Sequence, residues 1–279
     1  MMQNQEYNQE VVNLHTHSFY CGHGSGAIEE YVQAASEHGL ALLGMSEHCP
    51  VPDGRWHRSR MDYSQIEAYE HDCQMAKETA PEGLAVITGY ECDYLPEYQG
   101  YYREVAERVD YLIGAIHDLS TDLNNEHSVF WHQLSKKDLA TYTDMYCDML
   151  SSDLFLFGAH PDLFGYYYHH WDTEAEACSR AIIECAVANN VALEINANGM
   201  RKRKVQLDEG WRHPYPLSPF WEIASKYPLQ VVTHSDAHKP SLVNEGYEAC
   251  ANIAIENNLQ LCSYRVEREQ SGNVQISLI

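Results

Sequence analysis

Seven short apolar runs, each closing on polar or ligand-type residues, constrain this 279-residue chain more than any other feature. They read "VVNLHTH" (11–17), "ALLGMSEH" (41–48), "LAVITGYE" (84–91), "YLIGAIH" (111–117), "FLFGAH" (155–160), "VALEIN" (191–196) and "QVVTHSDAH" (230–238). The segments between them carry helical patterning, and helices are expected at 28–37, 64–79, 136–150, 174–188, 219–225 and 242–256. Near-continuous apolar strands alternating with helices imply parallel strands buried on both faces. An open doubly wound sheet and a closed barrel both accept that alternation. In an open sheet, site residues gather at a switch point served by a few strands. Here six of the seven runs end in His, Glu or Asp, and the other leads into "EINANG". A site fed from nearly every strand belongs to the C-terminal face of a barrel. The expected fold is α/β: a single-domain, distorted (β/α)7 TIM-like barrel of parallel strands over 1–279. A polar N-terminal tail is expected over 1–10, and a terminal hairpin around "SGN" within 259–279.

The residues at those strand ends are metal-ligand types. "HTHSFYCGH" supplies His15, His17 and His23, and the first two share one strand face because side chains alternate. His48, Glu91, His117 and His160 follow, and the last strand adds Asp236 and His238. One zinc takes about four ligands, so these nine nitrogen and oxygen donors suit two to three divalent ions. Imidazole and carboxylate accept Zn²⁺, Mn²⁺ or Fe²⁺ without separating them. Two positions before several ligands stand small residues, Ser46, Gly89, Ala115 and Gly158, which are expected to leave room for rings and ions. His234 shares the face of Asp236 but lies deeper, and is expected to pack or support, as are Glu194, Asn196 and Asn198. The loop "YYYHHWD", with His169 and His170, reads equally as a pocket wall or a surface flap.

Composition narrows the partners. With 18 Lys and Arg against 41 Asp and Glu, the net charge of −23 argues against nucleic acid or an anionic membrane. No apolar run reaches 18 residues, and "MMQNQEYNQE" lacks the basic-then-apolar pattern of a signal peptide. The nine cysteines are scattered without a C-x-x-C pair, which fits free thiols in a reducing cytoplasm. Cys21, Cys49 and Cys92 lie near the ligands but are expected to pack as small hydrophobes. One dense basic run, 201–204, follows the sixth strand, and Arg201 is the first candidate to contact a phosphate. Arg55, Arg58 and Arg60 form a similar cluster after the second strand.

In this order, "HTHSFYCGH", "SEH", "GYECDY", "GAIH", "GAHPD" and "SDAHKP" resemble the motif series of the PHP (polymerase and histidinol phosphatase) family. The likeness runs from about Val11 to Asn244, with "NANGMR" after the sixth strand, and is nearest to the stand-alone histidinol-phosphate phosphatases. The resemblance implies a trinuclear site. His15, His17, Glu91 and Asp236 would hold one ion, Glu91 with His117 and His160 a second, and His23, His48 and His238 a third. It implies hydrolysis of a small phosphate ester, with L-histidinol phosphate as the expected substrate and Glu91, Asp236 and His238 as catalytic groups. Water activated between cations would attack phosphorus in line. An amidohydrolase-type enzyme also starts from HxH, but it commonly uses a bridging Lys, and no strand end here carries one. A phosphodiesterase acting on a long polyanion is disfavoured by the charge, and a non-catalytic module by the full ligand set.

Overall fold

A computed structural model defines the architecture over residues 3–122, 125–207, 210–268 and 274–279. The chain begins with β1 (Gln3–Tyr7), then β2 (Val12–Asn13), α1 (Ile28–Glu37), β3 (Leu42–His48), α2 (Ile66–Thr79), β4 (Ala85–Asp93), α3 (Gln99–Ala106) and β5 (Tyr111–Ala115). It continues through α4 (Lys136–Leu150), β6 (Phe157–Gly158), α5 (Thr173–Asn189), β7 (Ala192–Asn196), α6 (Asn198–Arg201) and the short antiparallel strands β8 (Val205–Leu207) and β9 (Gly210–Arg212). It ends with α7 (Ser218–Ala224), β10 (Val231–His234), α8 (Tyr247–Glu256), β11 (Tyr264–Arg268) and β12 (Val274–Leu278).

Every expected run supplies one strand of a parallel sheet ordered β10-β7-β6-β5-β4-β3-β2, which is chain order read backwards. The two ends of that sheet meet where Thr16 bridges Ala237, with the His17 N–H donating to the Ala237 carbonyl at 2.8 Å. Below that point amide side chains bridge the seam. Asn13 Nδ2 donates to Ser235 Oγ and to the Val243 carbonyl, both at 2.6 Å. Gln9 Nε2 donates to the Thr233 carbonyl at 2.8 Å, and its Oε1 accepts the Thr233 N–H at 3.2 Å. The fold is thus a distorted seven-stranded β/α barrel whose last seam is closed partly by side chains.

Local chemistry sets the helix ends. Ser135 and Asp138 form a reciprocal cap on α4, and Asp172 accepts the Ala175 N–H at the start of α5. The segment expected as one helix over 242–256 begins only at Tyr247, because Gly246 takes φ 88°, the left-handed conformation glycine tolerates.

The N-terminal segment departs from expectation. Instead of a polar tail, β1 pairs antiparallel with β11, which pairs with β12. Strand pairing uses backbone groups, so the Asn4, Gln5 and Glu6 side chains stay exposed while Tyr7 is buried. The two strands of the expected terminal hairpin are present, and its "SGN" turn lies outside the described residues. Val12, Leu14, Leu42, Ile87, Tyr111, Ile113, Phe157 and Val232 fill the lower barrel with Tyr264 and Val266. The larger core lies between the barrel and its helices. No helix among the described residues is long and apolar enough to cross a membrane.

Candidate metal centre

Side-chain alternation turns the apolar filling of the lower barrel into a polar cluster at its C-terminal rim. Glu91, two residues before the end of β4, is 1% exposed and central. One of its oxygens lies 2.7 Å from His48 Nδ1 and 3.5 Å from His17 Nε2. The other lies 2.9 Å from His160 Nε2, 3.4 Å from His15 Nε2 and 3.6 Å from His117 Nε2. Asp236 Oδ1 approaches His17 at 3.4 Å and His15 at 3.8 Å. His23 and His238 face each other at 3.0 Å between Nε2 atoms, and His238 also stacks on His17. All nine expected donors therefore meet in one place, including His23, which comes from a loop rather than a strand.

The small residues beneath the ligands have a different use from the expected one. A Cβ on Gly89 would meet the Tyr111 ring at 2.6 Å, and one on Gly44 would meet its hydroxyl. The Tyr111 phenol lies across the barrel under Glu91 and donates to the Leu14 carbonyl at 2.7 Å. Gly158 faces outward, where a Cβ would meet Tyr146 of α4. Strand parity breaks there because His160 has φ 30°, a backbone conformation that redirects its side chain inward. Asp236 has φ 48°. Left-handed backbone at a non-glycine residue costs roughly 1–3 kcal/mol and clusters at functional sites.

Several buried groups hold the ligands. His15 Nδ1 faces Glu194 at 2.8 Å, and His117 Nδ1 faces Asp93 at 3.1 Å. His17 Nδ1 lies 3.8 Å from Glu47, whose other oxygen accepts from Ser18. A carboxylate behind an imidazole fixes its tautomer and leaves the opposite nitrogen for an ion. Asn196 and Asn198 both donate to Asp236 Oδ2, at 3.2 and 3.0 Å, so Oδ1 remains for the cluster. Glu194, Asn196 and Asn198 thus lie behind the cluster, bonded to His15, His160 and Asp236. Glu47 and Asp93 were not anticipated, although Asp93 stands two residues beyond Glu91 on the same strand face. His234 belongs to the seam: its Nδ1 accepts the Leu14 N–H at 3.2 Å and its Nε2 lies 3.1 Å from Tyr264 Oη.

Electrostatics and orphaned atoms both call for cations here. Burial resists ionisation of Glu91, yet the His48, His117 and His15 imidazoles hold its carboxyl well below the usual range. Burial opposes protonation of His17, but the nearby Asp236, Glu47 and Glu91 carboxylates raise it to about 9. Burial and the His17 charge drive His238 down to about 3. Seven imidazoles in so small a space cannot all hold protons. Among buried side-chain atoms without a hydrogen-bond partner are His15 Nε2, His17 Nε2 and Asp236 Oδ1. Buried polar atoms are almost always satisfied, and these converge on common points, as metal ligands do.

The cluster floors a cleft of about 470 Å³. Its walls carry Arg58, Arg60 and Lys202 as cations, Glu126 as an acid, and the aromatics Phe130 and Trp131. Arg201, the expected phosphate contact, is absent from the lining. Its guanidinium donates to the backbone carbonyls of Ser235, Asp236 and Glu245, which turns it toward the backbone and braces the turn at Asp236. Its neighbour Lys202 reaches the cleft instead. His169 and His170 also lie outside the lining, with His169 Nε2 near the Tyr166 carbonyl.

A histidine-rich, carboxylate-centred cluster at the C-terminal rim of a parallel barrel defines a metal-binding site of the hydrolase type. The chain belongs to the PHP domain family, whose model matches residues 13–198. It is 29% identical to the "Probable histidinol-phosphatase" of Deinococcus radiodurans over 244 residues, covering 84% of this chain and 88% of the relative. The histidinol-phosphatase of Bacillus subtilis is 25% identical over 269 residues, covering 84% and 96%. A crystal structure of histidinol phosphate phosphatase from Lactococcus lactis, complexed with zinc, L-histidinol and phosphate, aligns with a TM-score of 0.64 at 13% identity. That alignment covers 90% of this chain and 95% of the other, and it speaks for the fold.

Proposed function

We propose that this protein is a metal-dependent phosphomonoesterase that hydrolyses L-histidinol phosphate to L-histidinol and phosphate. The observation that carries the reading is the convergence of nine donors, several with unpartnered buried atoms, at the floor of a cleft of mixed chemistry. Three ions are assigned: one to His15, His17, Glu91 and Asp236, one to Glu91, His117 and His160, and one to His23, His48 and His238. When bound, such ions activate water near neutral pH and offset charge on phosphoryl oxygens.

The protein's own part is orientation and selection. Glu194 and Asp93 fix the His15 and His117 rings so that the remaining nitrogens face the centre, and the Glu47 carboxylate lies 3.8 Å behind His17 Nδ1. Arg58 and Lys202 lie along the cleft, where a phosphate dianion gains from cationic side chains. Histidinol phosphate also carries an ammonium and an imidazole. Glu126 offers the first a carboxylate, and Phe130 and Trp131 offer the second aromatic faces. Phe130 already stacks on His117 at 5.5 Å between ring centroids, which puts that aromatic wall beside the cluster. The net charge of −23 and the histidinol-phosphatase names of two relatives support a small monoester over a nucleic acid.

The test is a panel of phosphomonoesters assayed with added Zn²⁺ or Mn²⁺, covering histidinol phosphate, nucleotides and sugar phosphates. Histidinol phosphate is expected to give the highest kcat/KM, and Glu126→Gln to raise its KM more than that of a sugar phosphate. Preference for a nucleotide or sugar phosphate would refute the substrate. Hydrolysis of amides with no phosphatase activity would refute the reaction class.

A further inference from the structure

The loop after β3 contributes a buried cation that the ligand set does not explain. Arg60 is 6% exposed, and its Nη2 pairs with Asp93 Oδ2. Asp93, itself 3% exposed, accepts the His117 backbone N–H at 2.7 Å and faces the ring Nδ1 at 3.1 Å. With Nδ1–H committed to that carboxylate, His117 Nε2 is left toward the cluster, 3.3 Å from His160 Nε2. Among the described residues, Arg60 is the only Lys or Arg side chain bonded to Asp93.

The same loop grips the next residue. The Arg60 guanidinium lies 4.4 Å from the centre of the Trp56 ring, and that of Arg55 lies 4.9 Å from it. Trp56 Nε1 and Arg55 Nη2 each donate to Asp118 Oδ2 at 2.8 Å. One segment thus holds the His117 ring through Asp93 and the chain just beyond it through Asp118.

We propose that Arg60 is a positioning residue for the metal centre: its charge holds Asp93 as a fixed carboxylate, and Asp93 aims His117 Nε2 at the ion shared with Glu91 and His160. The inference rests on the reading that His117 is a ligand, but on no particular substrate. The competing role for Arg60 is packing against Trp56. The two differ in what happens when the charge requirement is removed. A buried carboxylate left without its cation is strongly unfavourable, whereas Asn at position 93 keeps one oxygen for the His117 Nδ1–H, gives up the bond from the His117 backbone N–H and needs no cation.

The experiment compares wild type, Arg60→Met, Arg60→Lys, Asp93→Asn and the double variant Arg60→Met/Asp93→Asn, each loaded with Zn²⁺ and dialysed. Ions per chain are read by elemental analysis, and affinity by competition with a chromogenic chelator. Groups behind metal-bound imidazoles typically contribute 10–100-fold to metal affinity, so Arg60→Met should hold the ion assigned to His117, Glu91 and His160 about tenfold less tightly. Arg60→Lys should recover part of that loss, and the double variant should bind more tightly than Arg60→Met. At saturating Zn²⁺, kcat of Arg60→Met should return toward wild type.

Unchanged ion content and chelator competition in Arg60→Met would overturn the proposal. So would a double variant as weak as Arg60→Met, because it would place the role in the Trp56 contact. If Arg60→Met does not fold, the double variant decides: folding with ions near the Asp93→Asn level supports the charge role, and failure to fold refutes it. Because ion content is read without substrate, inactivity on histidinol phosphate would sink the functional reading and leave this result interpretable.

Discussion

Replacing Glu91 by Gln keeps the side chain's shape and removes one charge from the middle of the cluster. Five imidazole nitrogens lie within 3.6 Å of the carboxylate, which is 1% exposed, and only His15 and His17 of the five also have Asp236 close by. At 4 Å and an effective dielectric of about 20, opposite unit charges attract by about 4 kcal/mol, and about twice that against a dication. The Gln oxygen remains a neutral donor and recovers some of this, leaving a loss on the order of 4 kcal/mol. That is about a thousandfold in affinity for each ion Glu91 touches. After dialysis against metal-free buffer, Glu91→Gln should lose at least the ions it shares, by elemental analysis, and its turnover should fall to background. Circular dichroism would verify that the barrel persists. Wild-type ion content together with wild-type turnover would refute the central place given to this carboxylate.

Chelation should abolish activity, and Zn²⁺ or Mn²⁺ should restore it. Metal at about a thousandfold above its Kd should also raise Tm by about 10 °C, since ligand binding then adds about 4 kcal/mol. Gly89→Ala should destabilise by about 1–3 kcal/mol in urea titrations, because its Cβ would meet the Tyr111 ring at 2.6 Å and the Tyr111 carbonyl at 2.7 Å. Ser135→Ala removes the cap of α4 and should cost about 1 kcal/mol at neutral pH. That cost should depend on pH in a defined direction. Burial raises the Asp138 carboxyl, but bonds from the Ser135 hydroxyl and N–H outweigh it and hold the group below its ordinary value. A depressed carboxyl stabilises above its unfolded pKa and loses that contribution as pH falls through the folded one. The gap between wild type and Ser135→Ala in Tm should therefore be widest near neutrality and narrow below about pH 4.

Periodicity and strand-end chemistry make much of this protein legible in its sequence. Seven apolar runs became seven barrel strands, and the helix at 136–150 matched α4, because a Ser–Asp cap and an apolar face are local signals. The N-terminal strand was illegible, since "QNQEY" has no apolar pattern and owes its conformation to backbone bonds with residues distant in the chain. Arg201 illustrates a different limit. A basic run at a barrel mouth suggests phosphate contact, but which residue reaches the cleft depends on the helical turn of α6, and that turn points Arg201 at the Ser235 and Asp236 carbonyls.

The sequence by itself determined most of the expected donor set, at or just beyond the ends of the barrel strands, because β/α order is a property of the chain. Only the tertiary structure decided how those donors are held: Glu47 behind His17, Asp93 and Arg60 behind His117, Tyr111 beneath Glu91, and amide side chains closing the last seam. These contacts join residues tens to hundreds of positions apart. They depend on distances that exist only once the barrel has closed, and no local pattern encodes them.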